Sequence, residues 1–184
     1  MKDMIKLGLI LFIISAVAAG SLGATNQATK PIIEKRIAQA NDEARKLVLP
    51  TAKEFKSLDG VAKGIVVDGY EGLDNGKVVG YTFKTVPSGY GGAIELMIGI
   101  SADGKVTGVN MGTNKETPGL GTKAAEPKFK DQYNGKSVDK PLEVVKGKAT
   151  GENSIVAISG ATISSKAVTA GVNAAIESFN GLNK

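Results

Sequence analysis

The sequence has no cysteine, no histidine and no tryptophan, and its aromatic side chains are four Tyr and five Phe in 184 residues. Each absence removes a class of chemistry. Without Cys or His there is no thiolate or imidazole zinc site, no haem held by either, and no Cys-ligated iron–sulfur cluster. Ser-His-Asp and Cys-His catalysis are excluded too, as are disulfides and an N-terminal acyl anchor on cysteine. Charge of either sign is modest: 23 Lys and Arg against 18 Asp and Glu, a net +5. With so few aromatics, that balance argues against a nucleic-acid stacking platform. A hydrophobic share of 42% with 22% charged residues fits neither a disordered tail nor a multi-span membrane protein. Demanding chemistry would have to come from a borrowed cofactor.

What is present starts with an apolar run. Residues 7–24 carry no charge, and the next charged residue is Lys30. At about 1.5 Å per residue this run covers roughly 27 Å, close to the hydrocarbon thickness of a bilayer. It is expected to be a transmembrane anchor after a leader of residues 1–6. The competing reading is a cleaved signal peptide with Ala16-Val17-Ala18 as its cleavage signal. Lys2 and Lys6 precede the run and Lys30, Lys35 and Arg36 follow it, so basic flanks alone do not set the orientation. Residues 25–50 read as a linker containing an amphipathic helix, with Ile33, Ile37, Ala40, Ala44 and Leu47 as its stripe. Pro31 suits the first turn of that helix and Pro50 stops it.

Residues 51–184 read as one α+β domain, an antiparallel sheet packed with helices. Segments 64–70, 77–86, 93–100 and 105–111 are rich in Val, Ile, Thr, Tyr and Phe and bounded by turn residues. Asp74-Asn75-Gly76 and Ala102-Asp103-Gly104 supply the positive-φ positions of tight hairpins. A meander of three or four strands is expected. A short helix over 129–133, a short strand over 142–145 and a closing helix over 164–179 follow. Val168, Val172, Ala175, Ile176 and Phe179 form the buried stripe of the closing helix.

Three small-residue motifs carry whatever chemistry there is. Ser88-Gly89-Tyr90-Gly91-Gly92 lets the backbone approach something flat or phosphorylated, though alone it reads first as a hairpin loop with a packing Tyr. Glu116-Thr117-Pro118-Gly119-Leu120-Gly121-Thr122-Lys123 holds a Pro-Gly turn whose N–H groups, hydroxyls and lysine suit an anion or a ring edge. It lacks Walker A spacing and alone reads as a plain loop. Ser159-Gly160-Ala161-Thr162 precedes the closing helix, where unpaired N–H groups and the helix dipole favour an anion. There, Ser164 or Thr162 also suits a simple helix cap.

Taken in order, the anchor, the linker helix, Gly-Tyr-Gly-Gly, ETPGLGTK and SGATISSKAV resemble the FMN-binding domain family. That family is shared by the G subunit of the Rnf electron transport complex (ferredoxin:NAD oxidoreductase) and the C subunit of the sodium-translocating NADH:quinone reductase. The ETPGLGTK form favours the Rnf member. The resemblance covers nearly the whole chain. It implies that Thr162 carries FMN through a phosphoester on its hydroxyl, attached by a separate flavin transferase with FAD as donor. It also implies that Tyr90, Glu116, Thr117, Gly119, Leu120, Gly121 and Thr122 line the flavin beside Ser159, Gly160 and Ala161. Lys123 and Lys166 are candidates for neutralising the phosphate.

Two departures stand out. The attachment signal usually has an acid three positions before its first Ser, where this chain has Val156; slower flavinylation or a more tolerant transferase would follow. Many relatives have His where this chain has Asn114, which leaves water or Glu116 to deliver any proton. The expected function is an electron-carrying subunit of an ion-translocating membrane complex, partnered by other membrane subunits. Its N-terminus would be cytoplasmic and its FMN domain on the outer face. The alternatives are a stand-alone flavinylated carrier for extracellular electron transfer and a non-redox exported module that binds a phosphorylated ligand.

Overall fold

The computed structural model describes residues 2–149 and 151–182. Its contacts divide the chain into two compact units, Met1–Asp42 and Glu43–Lys184. The first unit is helical throughout its described residues, as part of α1, Lys2–Val48. An 18-residue window of α1 has mean hydropathy 2.2 and no buried residue, so it is long and apolar enough to cross a membrane. The expected fresh helix start at Pro31 is not seen, because Pro31 lies inside the helix. In the polar stretch ahead of it, also helical, the hydroxyls of Ser21, Thr25 and Thr29 donate back to the carbonyls of Val17, Ser21 and Thr25, 2.8–2.9 Å away.

The second unit is built on a five-stranded antiparallel sheet in the order β1-β2-β3-β4-β5. These strands are Glu54–Ser57, Val66–Asp74, Lys77–Thr85, Leu96–Ser101 and Val106–Met111. The expected meander is present with one strand more, β1, whose Glu-Phe-Lys-Ser carries no alternating apolar signal. The β2–β3 hairpin turns on Asn75 (φ 50°) and Gly76 (φ 77°), the left-handed pair that a two-residue loop demands.

The sheet is covered on both faces, which explains why β4 is buried along nearly its whole length. Helix α3, Thr162–Leu182, lies on one face. Its stripe of Val168, Val172, Ala175, Ile176 and Phe179 joins Phe83, Leu96, Ile98 and Ile100 in the main core. The opposite face is covered by the end of α1 and the residues after it, with Val48 1% and Leu49 0% exposed. The expected stripe through Leu47 is displaced, since Leu47 is 71% exposed while Arg45 and Val48 are buried. Arg45 places its guanidinium 3.6 Å over the Tyr70 ring and 3.9 Å from Asp68 Oδ2. Burial pushes the Asp68 carboxyl above its ordinary range, against the downward pull of Arg45 and then Lys84.

Between β5 and α3 come a 3-10 turn, Gly121–Ala125, a one-turn helix α2, Pro127–Lys130, and a second 3-10 turn, Asp131–Tyr133. A parallel pair follows, β6, Glu143–Val145, beside β7, Ser154–Val156. The Gln132 amide brackets Val156, donating to its carbonyl at 3.2 Å and accepting its N–H at 2.8 Å. That bracket fixes the strand from which the chain turns into α3.

Candidate functional site

The three motifs, distant in sequence, converge on one cleft of about 550 Å³. This is inside the roughly 300–1,000 Å³ range of small-molecule sites. Tyr90 comes from the loop after β3, Glu116, Thr117, Leu120 and Gly121 from the turn after β5, and Gly160, Ala161, Thr162, Ile163 and Ser164 from the start of α3.

The Ser-Gly-Ala-Thr motif is shaped by a turn in which Gly160 holds φ 79° and the Ala161 N–H reaches the Ile158 carbonyl at 3.0 Å. Ser165 locks it: its hydroxyl oxygen accepts the Ile158 N–H at 3.0 Å and the same hydroxyl donates to the Ala161 carbonyl at 2.9 Å. Thr162 is half-buried, opens α3 and lines the cleft. The first N–H groups of a helix have no partner within it, so the half-buried hydroxyl stands at an anion-favouring helix start.

Around this polar end the rim is apolar. Tyr90 is 70% exposed, Ile163 55% and Leu120 43%. Three exposed large apolar side chains around one small-molecule-sized cleft fit a planar hydrophobic ring.

Glu116 is buried in the cleft wall, 5% exposed. Its Oε1 accepts the Gly91 N–H at 2.8 Å and its Oε2 accepts the Ser164 hydroxyl. Asn114 braces it, accepting the Glu116 N–H at 3.1 Å while donating to the Gly112 carbonyl at 3.0 Å. Asn114 is thus a loop fastener, held through both ends of its amide.

Other expected residues lie outside the cleft lining. Thr122 closes its own turn, its hydroxyl oxygen accepting the Gly119 N–H at 3.0 Å. Lys123, Lys166 and Ser159 are exposed and do not line the cleft. Ser164 and Ile163 are lining residues that the motifs alone do not place there. Ser164 suits a helix cap by its position in the sequence, but its hydroxyl turns to Glu116, 48 residues away in the chain. A signal was available, since Ser164, Ser165 and Thr169 put hydroxyls on the buried side of an otherwise apolar helix. Among the described residues, no group of three or more acidic side chains is placed to hold a metal ion. A larger hollow of about 1070 Å³, between loop 59–66 and α3, contains none of the motif residues.

The architecture is that of solved C subunits of Na⁺-translocating NADH:quinone reductases. The Parabacteroides distasonis protein superposes with a TM-score of 0.54 at 20% identity, over 69% of this chain and 77% of that one. The Shewanella oneidensis protein gives 0.53 at 21%, over 76% and 73%. Residues 89–177, which hold the whole cleft, match the FMN-binding domain model, and residues 1–46 match the model of the RnfG N-terminal region. The class is therefore a membrane-helix-bearing FMN-binding domain.

The nearer relatives sharpen this. The G subunit of the Na⁺-translocating ferredoxin:NAD⁺ oxidoreductase complex of Acetobacterium woodii is 47% identical, over 100% of this chain and 95% of its own. The G subunit of the proton-translocating complex of Clostridium ljungdahlii is 36% identical, over 81% and 77%. The chain belongs to the RnfG family, the G subunits of Rnf complexes.

Proposed function

We propose that this chain is an electron-transferring subunit of an ion-translocating oxidoreductase complex, carrying FMN esterified through its phosphate to Thr162. The observation that carries the reading is the convergence of an apolar rim, a half-buried threonine hydroxyl and a helix start in one cleft. A module for a phosphorylated ligand alone would need the polar end but not the rim of Tyr90, Leu120 and Ile163. Full-length identity to the G subunit of an Rnf complex favours a component of such a complex over a stand-alone carrier.

Bound FMN would supply the redox chemistry that none of this chain's side chains offers. The chain's own work is to hold and to shield. Tyr90, Leu120 and Ile163 would cover the ring, and the first N–H groups of α3 would hold the phosphate. Lys123 and Lys166, which do not line the cleft, add positive charge at longer range. Attachment takes place in a separate flavin transferase. The Thr162 hydroxyl oxygen attacks the FMN-side phosphorus of FAD, the P–O–P bond breaks, AMP leaves and the hydroxyl loses its proton. No electron changes hands in that step.

Helix α1 anchors the chain in the membrane, with a cytoplasmic N-terminus and the FMN domain on the outer face. A covalent tether keeps the flavin where lost FMN is not replaced. The other membrane subunits of the complex are the partners. G subunits named for sodium-coupled and for proton-coupled complexes both resemble this chain, so we assign the coupling ion to another component.

The test is the intact mass of the denatured full chain, co-expressed with a flavin transferase, beside Thr162→Ala. A gain equal to FMN less one water in the wild type alone is expected. If the wild type stays unmodified, Val156→Asp decides. An adduct then assigns the failure to transferase recognition, and none in either chain overturns covalent attachment.

A further inference from the structure

Gly89, Gly91 and Gly121 of the motifs invite the reading that the backbone has been cleared for a ligand, but their neighbours belong to this chain. A Cβ on Gly89 would stand 2.4 Å from Glu116 Oε1. One on Gly121 would stand 2.2 Å from Glu116 Oε2 and 2.7 Å from Ser164 Oγ. One on Gly91 would stand 1.9 Å from the Lys115 carbonyl oxygen, a backbone atom that cannot swing away. The three glycines make room for the Glu116 side chain and for the segment after β5 that delivers it.

That carboxylate has both oxygens engaged, Oε1 by the Gly91 N–H and Oε2 by the Ser164 hydroxyl. Gly91 follows Tyr90 in its loop, and Ser164 is two residues past Thr162 on α3. Glu116 itself starts the remaining motif, ETPGLGTK. One buried side chain therefore joins all three.

We infer that Glu116 is a positioning residue, a clamp that sets the distance between the loop of Tyr90 and the helix start bearing Thr162. Its link to the flavin rests on the function proposed above; the clamp itself does not. With its oxygens occupied by the protein, Glu116 acts on a bound ring through the parts it holds.

A clamp depends on reach, whereas electrostatic tuning depends on charge, and substitutions separate the two. Gln has the same length. Its carbonyl accepts the Gly91 N–H, and its NH₂ donates to Ser164 once that hydroxyl turns to accept. Asp keeps the charge but is one methylene shorter and cannot span both partners. Ala abandons both.

The full chain, co-expressed with a flavin transferase and held in detergent micelles, is compared as wild type, Glu116→Gln, Glu116→Asp and Glu116→Ala. Hydrogen exchange over residues 88–92 is read with and without flavin, and iodide quenching reports flavin exposure. In Asp and Ala, exchange over 88–92 is expected to quicken about tenfold or more, the effect of losing one closing hydrogen bond. In Gln it stays within about threefold of wild type. Amides of β3 and β4 stay protected in all, which reports an intact fold. Flavin quenching follows the same order.

Wild-type-like exchange in all three variants overturns the clamp. So does an order in which Asp matches wild type and Gln does not. If Ala fails to fold, the order of Gln and Asp still decides. If neither the wild type nor Val156→Asp carries flavin while exchange follows the reach order, the flavin reading falls and the clamp stands.

Discussion

Tyr133 is fully buried, its ring edge-on to Phe129 with centroids 5.7 Å apart and its hydroxyl 2.7 Å from Thr169 Oγ1. Burial pushes this phenol well above its ordinary value, with the Thr169 hydrogen bond pulling weakly the other way. The linkage has a definite sign. Once pH passes about 10, the unfolded chain releases the Tyr133 proton while the folded chain keeps it. Stability contributed by this group is complete below about pH 10 and is lost as pH rises through the folded value. Tyr133→Phe keeps the ring contacts and leaves Thr169 its bond to the Ser165 carbonyl at 3.0 Å. The variant is expected to lose about 0.5–1.5 kcal/mol at about pH 8. Its urea midpoint should then fall less steeply than that of wild type between about pH 9.5 and 11. Parallel declines in the two chains would show that other groups govern the alkaline limb.

At the scale of elements, the end of α1 fits the sheet because glycines leave it room. A Cβ on Gly99 would stand 2.2 Å from the Val48 carbonyl oxygen and 2.4 Å from Thr107 Oγ1, whose hydroxyl donates to that carbonyl. Gly72 and Gly80 make the same allowance for Leu49. Gly99→Ala must push backbone against backbone, so a loss of about 1–3 kcal/mol or more is expected in chemical unfolding. Gly112→Ala, whose nearest neighbour would be an ordinary 3.6 Å away, should leave the midpoint nearly unchanged. Equal midpoints for the two would show that the seat yields cheaply. Glycine inside a strand is locally unfavourable, and the reason for these three lies in a different element. The strands themselves were legible where Val, Ile, Tyr and Phe alternate, as in β3, and the stripe of α3 was legible residue by residue. The buried side of the end of α1 was not. Local periodicity selects Ile33, Ile37 and Leu47, but the packing surface selects Arg45 and Val48, which no composition rule would bury together. The site divides the same way. Its motifs could be read in order along the chain, while the Glu116–Ser164 bond spans 48 residues and exists only once α3 has docked.

For the whole molecule, the open question is where the folding unit begins. The motif-bearing domain reads from the sequence as residues 51–184, since Pro50 ends the helical pattern. The compact unit of the structure begins earlier, at Glu43. The difference contains Arg45, Val48 and Leu49, all nearly inaccessible. Burying one Val or Leu side chain contributes about 1.5–3 kcal/mol. A chain beginning at 51 thus forgoes about 3–6 kcal/mol from Val48 and Leu49 together, set against a total of about 5–15 kcal/mol for a whole domain. It also bares the glycine-lined face of the sheet. We expect a piece beginning at 43 to unfold in urea with the cooperativity of the full chain's second unit. The piece beginning at 51 should unfold at markedly lower urea, or be recovered only as aggregate. The two should also part in flavin loading by a transferase, because the second face of β4 supports the strand that runs on to Glu116. Equal midpoints and equal loading would instead make residues 43–50 a passive tether, with the whole cleft held by the α3 face of the sheet.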